Sequence, residues 1–488
     1  MPVVDHLFVL MLENRSFDHF FGLSGLPGVM RPPAPPFGPG ATDRASFDPG
    51  HEFVDVQRQI AGGGMTGFDP EAAKGFLPSQ LPVITQLAGE HVLFDNWFSS
   101  MPGPTWPNRF FVHAASSGGL ADSPSAAKAF GAVTLPAAEF RFQHGTIFDR
   151  LDAARVPWRV YHGDSMPQVL ACQGMVARYL KPGSGNFRAF SGDNAGDPGF
   201  ANDVMDPGYA PAYTFIEPNY AIRLIGSFRN GDSQHPKGLV SAGEALLRQV
   251  VAALQDAPIW ERSALLVLWD EHGGFYDHVS PPPAVPPGDW PVNQSAGKVA
   301  FGFDALGPRV PAVLVAAGAP RGALGSTLFP GESFDHAAVV HALIENFELG
   351  LPLTARDGAA SNFLSCLRAK APAVKPVVPL AAAAAPPAPA GGTAGVGNER
   401  LDGFLEGTAL IALDLDRQIA AATRRPMLAL APRRRALASP ALLGASLLGR
   451  EPGARPEVAQ YIVDVAARVQ THLATVRRRP RPGAKPGR

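Results

Sequence analysis

The chain has 488 residues, with 42 Lys+Arg against 43 Asp+Glu and a formal net charge of −1. Its 46% hydrophobic and 17% charged content excludes a mostly disordered chain. Two cysteines, Cys172 and Cys366, exclude a disulfide scaffold and a thiolate metal cluster and leave their own pairing open.

The start, Met1-Pro2-Val3-Val4-Asp5-His6, has no basic leader and no cleavage site. The expectation is therefore cytoplasmic for the chain as written, and periplasmic or secreted if an export signal has been removed. His6 to Leu12 (HLFVLML) reads as the first buried strand, and Leu81 to His91 as a helix. Trp158 to Tyr161 and Tyr213 to Ile216 follow as strands, then Val240 to Gln255 as the clearest helix. Ala264 to Trp269 (ALLVLW) and Val310 to Ala316 (VPAVLVA) complete the strand set. Ser333 to Leu349, with Phe334, Val339, Leu343 and Phe347 at helical spacing, is a further helix. Strands alternating with helices predict an α/β fold, a mostly parallel sheet sandwiched by helices. No run approaches the ~18 apolar residues of a membrane-crossing helix.

Residues 1–370 read as a catalytic body and 371–397, rich in Pro and Ala, as a semi-rigid linker. Residues 398–488 read as a basic, partly helical region with helical patches at Leu410 to Ala421 and Val458 to Val476. Residues 399–488 carry 16 basic and 8 acidic side chains, whereas residues 1–398 carry 26 and 35. The basic end suits an anionic membrane surface or a solvated terminus; nucleic acid is not the expected partner.

Two strand ends carry chemistry. The first strand runs into Glu13-Asn14, and the strand ending at Trp269 runs into Asp270-Glu271. Ligands of parallel α/β sheets bind beyond the carboxyl ends of the strands. Three carboxylates and an amide oxygen make a hard donor set for one divalent cation. Each run continues into an aromatic-Asp-His triplet, Phe17-Asp18-His19 and Tyr276-Asp277-His278. The Asp and His of each fit ligand-orienting partners or buried structural groups. Thr105 precedes an apolar helical stretch, so its hydroxyl sits where backbone N–H groups favour a phosphate. Asn108 lies one turn along.

ENRSFDHFFG (Glu13 to Gly22), GPTWPNR (Gly103 to Arg109), DSQHP (Asp232 to Pro236) and WDEHGGFYDH (Trp269 to His278) resemble the motifs of the bacterial phosphoesterase family. That family holds phosphatidylcholine-type phospholipases C and a related branch of acid phosphatases. The resemblance runs from residue 3 to about residue 350. It implies an alkaline-phosphatase-like core with one bound metal ion. By it, Glu13, Asn14, Asp270 and Glu271 match metal ligands, and Thr105 matches the nucleophile that also touches the metal. Asn108 matches a phosphoryl-oxygen contact, and His235, His51 and His162 match active-site histidines.

The implied reaction is metal-assisted hydrolysis of a phosphate ester through a phosphothreonine. Asn108, the metal and His51 share the phosphoryl charge, and His235 or His162 protonates the leaving alcohol. A phospholipase C-like phosphodiesterase is the first expectation and a broad phosphomonoesterase the second. A phosphoesterase-like protein that only docks on anionic surfaces is the non-enzymatic alternative. The oxygen-rich donor set favours calcium, with zinc or iron as the other candidates. Trp97, Trp106, Phe275 and Tyr276 lie near the motifs as choline-cage candidates, with core packing the favoured reading.

Overall fold

The computed structural model describes residues 2–124, 140–164, 166–181, 183, 185–192, 199–221, 228–290, 301–368, 380–382, 403–428 and 454–477. Among the described residues ten strands are formed: β1 (His6–Leu12), β2 (Gly38–Pro39), β3 (Lys74–Gly75), β4 (Val92–Leu93), β5 (Trp158–His162), β6 (Phe187–Ala189), β7 (Tyr213–Glu217), β8 (Ser263–Trp269), β9 (Ala312–Ala316) and β10 (Ala323–Leu324). Eight of them make one sheet in the order β10-β4-β9-β8-β1-β7-β5-β6, while β2 and β3 pair separately. The continuous apolar runs of β1 and β8 are buried at every position, as strands covered on both faces must be.

Helices cover this sheet in two groups. Val240–Asp256 packs against Pro82–Glu90 and Gly199–Val204, and Ala337–Asn346 packs against Thr105–Ala114. Glu244 joins the first pair: its carboxylate accepts from the Val83 and Ile84 N–H groups at 2.7 and 3.2 Å. These are free donors in the first turn of the Pro82–Glu90 helix, so one helix caps another.

Val310 to Ala316 departs from the parallel expectation. Its strand portion, β9, runs antiparallel to both β8 and β4. Among the described residues between β8 and β9 there is no helix. An antiparallel return of this kind needs no crossover helix.

The two C-terminal patches are helices, Gly403–Thr423 and Ala454–Arg477, packed on each other. Asp416 is buried between them, accepting from Leu428 N at 2.7 Å and Tyr461 OH at 3.2 Å and pairing with Arg468. The first of these helices rests on the turn Gln168–Ala171 and on the helix Thr105–Ala114. Thr408 Oγ1 donates to Gln168 Oε1 at 3.2 Å. Of the Pro/Ala linker, only residues 380–382 are described, and the basic end beyond residue 477 lies outside the described residues. Both cysteines are free. No described helix is long and apolar enough to cross a membrane.

Candidate active site

The register of the two central strands builds the site. β1 and β8 pair in parallel from His6↔Ser263 to Leu12↔Trp269. Glu13 and Asp270 therefore leave adjacent strands together, at an interstrand spacing of about 4.8 Å. Asn14 N donates to Asp270 Oδ1 at 2.9 Å, and Arg15 N to the Glu271 carbonyl at 2.9 Å. Asn14 takes a left-handed φ of 57°, a conformation Asn tolerates better than most residues. The chain after Glu271 turns at Gly273, where φ is 64° and an added Cβ would lie 2.3 Å from the Asn14 carbonyl oxygen. Only glycine fits there.

The four expected ligands are all fully buried. Asp270 is well bonded: Oδ1 accepts from Asn14 N and from Glu271 N at 2.7 Å, and Oδ2 from Arg109 Nε at 2.9 Å. Neither Glu13 oxygen has a hydrogen-bond partner, nor has Glu271 Oε1. Burial, with the Asp270 and Glu271 charges adding, pushes the Glu13 carboxyl well above the usual range; the Arg109 charge and the nearby Ser233 hydroxyl, which falls short of a formed hydrogen bond, oppose it. Asp270 rises to about 6 for the same reason, with Arg109 opposing. Orphaned, mutually repelling carboxylate oxygens in the interior fit a hard cation.

Thr105 opens the helix Thr105–Ala114, and its Oγ1 donates to Asn14 Oδ1 at 3.1 Å. The expected nucleophile and ligand set are thus brought together. Asn108 is placed differently from the expectation. Its Oδ1 accepts from Met101 N at 3.1 Å, and its Nδ2 donates to the carbonyls of Gly103 and Pro104 at 2.9 and 3.0 Å. The amide is committed to the loop that delivers Thr105, because the helix N-terminus needs its preceding turn pinned.

Arg109, one turn beyond Thr105, ties the helix to both strand ends. Besides Asp270 it reaches the Leu12 carbonyl at 3.5 Å and the Tyr220 hydroxyl at 2.5 Å. Burial works against its charge, but Tyr220, Asp270, Glu13 and Glu217 keep it protonated. His336 supports Asp270 from behind, with Nε2–H donating to the Asp270 carbonyl at 2.6 Å and Nδ1 accepting from Trp97 Nε1 at 3.3 Å.

His51 donates from Nδ1 to the Pro49 carbonyl at 2.7 Å, which leaves Nε2 facing the Asn14 amide at 3.3 Å. Burial lowers its affinity for a proton, but Glu271, Asp48, Glu52 and the Pro49 carbonyl more than reverse this, to about 9. His235 lies flat on Phe228, with ring centroids 3.7 Å apart. Its Nε2 is 3.9 Å from Asp48 Oδ1, and burial pushes it down to about 3. Asp48 therefore stands between two of the expected histidines. His162 ends β5, two strands from β1, and donates from Nδ1 to the Asp164 carbonyl at 2.5 Å.

The two aromatic-Asp-His triplets meet on Arg309. Its Nη2 donates to Asp18 Oδ1 at 2.9 Å and its Nε to Asp277 Oδ1 at 3.0 Å. His278 Nδ1 donates to Asp18 Oδ2 at 2.7 Å. Donor atoms of Asp18, Asp277 and His278 lie within 4.8 Å of one another, close enough for a cation to bridge. Arg309 already supplies that positive charge, and all four carboxylate oxygens are bonded. This is a structural ion cluster. The cage candidates are also packed inside: Trp97 stacks on Phe334, Phe275 lies between Arg15 and His19, Tyr276 stacks on Phe37, and Trp106 is buried.

Arg109, Asp48, His336 and Arg309 escape the sequence reading. Arg109 lies within a quoted motif and Asp48 beside His51, but nothing local marks what they touch.

Buried acids at paired strand ends beside a helix-borne hydroxyl define a class of phosphate-ester hydrolases. Residues 4–350 match the model of the Phosphoesterase family, and the chain belongs to that family. Non-specific phospholipase C6 of Arabidopsis thaliana is 33% identical over 396 residues, covering 73% of this chain and 70% of that protein. Phospholipase C A of Mycobacterium tuberculosis is 25% identical over 428 residues, covering 76% and 78%. Among solved structures, an alkaline phosphatase superfamily protein from Vibrio parahaemolyticus aligns at 11% identity and TM-score 0.33, covering 71% of this chain and 67% of that one.

Proposed function

We propose that the protein is a metal-dependent phosphoesterase that cleaves phosphodiesters in the manner of a phospholipase C, through a phosphothreonine on Thr105. The Thr105 hydroxyl bonded to Asn14 beside the unpartnered Glu13 carboxylate carries this reading. A divalent cation held by Glu13, Asn14, Asp270, Glu271 and Thr105 would supply Lewis acidity and a lowered hydroxyl pKa. The all-oxygen donors favour calcium; zinc and iron are the alternatives that elemental analysis separates.

The chain's own groups do the rest. The start of the helix Thr105–Ala114 presents backbone N–H groups to a phosphoryl oxygen. Asn108 fixes the loop before Thr105, and Arg109 fixes Asp270. Thr105 Oγ forms a bond to phosphorus while the bond to the leaving oxygen breaks and that oxygen takes a proton. Water then forms a bond to phosphorus, the Thr105 Oγ–P bond breaks, and the hydroxyl is restored. His51 faces Asn14 through Nε2 and is placed to pass the Thr105 proton to the leaving oxygen in the first step and a water proton back to Thr105 Oγ in the second. His162 stands on the same sheet edge as a second candidate.

The substrate class rests on the relatives, whose names describe phospholipases C. A phospholipid substrate brings the protein to a membrane surface as a peripheral visitor. Faster turnover of p-nitrophenyl phosphorylcholine than of p-nitrophenyl phosphate is expected. The reverse order assigns the monoesterase reading instead. Thr105→Val is expected to lower turnover by about 10⁴-fold or more with the fold intact; retained turnover removes Thr105 from the mechanism.

A further inference from the structure

His235 is linked to the proposed site through Asp48 and His51, which faces Asn14, and the backbone sets its protonation pattern. The Lys237 N–H donates to His235 Nδ1 at 3.2 Å. A backbone N–H can only donate, so Nδ1 is a bare acceptor and the neutral ring carries its proton on Nε2. A second proton at Nδ1 would meet the Lys237 N–H head on and break that bond. The stack on Phe228, with planes 7° apart, fixes the ring. Nε2 points toward Asp48 Oδ1 from 3.9 Å, beyond hydrogen-bond reach, so the Nε2–H is oriented by the carboxylate without being consumed by it. Asp48 Oδ1 is itself buried and unpartnered.

We propose that His235 works as a fixed Nε2–H hydrogen-bond donor to an oxygen of the phosphate ester, and not as the proton carrier of the reaction. A proton carrier must cycle between a neutral and a charged ring, and the Lys237 contact blocks the charged one. The charged groups facing the ring agree. After burial, Asp48 alone favours the cation, while His51, Lys237 and Arg15 oppose it. The expectation that His235 protonates the leaving alcohol is replaced by a role in holding charge on an oxygen, of the kind an oxyanion donor plays.

This inference rests on the phosphoesterase site proposed above, and its test separates the two. Long-range ¹H–¹⁵N correlation on ¹⁵N-histidine-labelled full-length protein, with His235 assigned by its loss in His235→Gln, reads the tautomer without substrate. The expected result is a bare Nδ1 and a protonated Nε2, unchanged between about pH 5 and pH 8. A ring that gains a second proton in that window overturns the proposal and leaves the site reading standing. Turnover supplies the second arm. Gln places an amide N–H where Nε2–H stood, so His235→Gln is expected to stay within about tenfold of wild type, whereas His235→Ala loses about 10²–10³-fold. Both variants are expected to keep the wild-type limbs of the pH–rate profile. A His235→Gln enzyme as slow as His235→Ala, with one limb missing, identifies a proton carrier and overturns the assignment.

Discussion

Two acids at the heart of the site differ in how they are satisfied. Asp270 accepts from three N–H groups, whereas Glu13 accepts from none and is held high by burial and like charge. Glu13→Gln replaces, without changing shape, a carboxyl whose anion is disfavoured by burial and like charge. It is expected to raise the thermal midpoint in chelator and to weaken metal binding by calorimetry; a lowered midpoint in chelator contradicts the repulsion argument. A second consequence concerns His113, buried between Phe148 and Phe215 with its pKa pushed down to about 3 from 6.5, first by burial and then by Arg109. The unfolded chain takes up this proton below pH 6.5 and the folded chain does not until about pH 3. Stability present above pH 6.5 is therefore lost as pH falls through this window. His113→Leu is expected to flatten the fall of the thermal midpoint between about pH 6.5 and pH 4. Glu13, Asn14, Asp270 and Glu271 were legible because they end apolar strands. Arg109 was not, because its partner Asp270 is 161 residues away and no local pattern announces a guanidinium aimed at it.

At the scale of elements, the long buried strands and amphipathic helices were readable from periodicity, since burial on two faces or one leaves a direct mark on composition. The two-residue strands β4 and β10 were not, because their pairing is decided by neighbours in space. The direction of β9 was missed because an apolar run carries no arrow. Two elements yield tests. Glu244→Ala leaves the Val83 and Ile84 N–H groups uncapped and is expected to cost about 1–2 kcal/mol in chemical denaturation, like the loss of a helix cap. Gly273→Ala forces a Cβ against the Asn14 carbonyl at a positive φ. It is expected to lower stability by about 1–3 kcal/mol and to weaken metal binding through Asn14. Wild-type metal affinity in Gly273→Ala would remove this turn from the site's support.

At the scale of the whole molecule, the cation and the C-terminal helices each extend what the sheet begins. Chelation is expected to lower the thermal midpoint of the wild type, since buried acids that share a cation repel once it leaves. The helix Gly403–Thr423 lies against Gln168, whose backbone N–H donates to Glu217 at 2.6 Å, and Glu217 in turn helps keep Arg109 charged. The placement of β1 has a further consequence, for synthesis. It precedes β7 and β8 in the chain yet lies between them in the sheet, and Asp270 follows Asn14 by 256 residues. A growing chain must therefore carry this apolar strand with both edges open until β7 and β8 have left the ribosome. Nascent chains halted before residue 213 are accordingly expected to bind chaperones or aggregate, and release past residue 277 to let the strand close into the sheet.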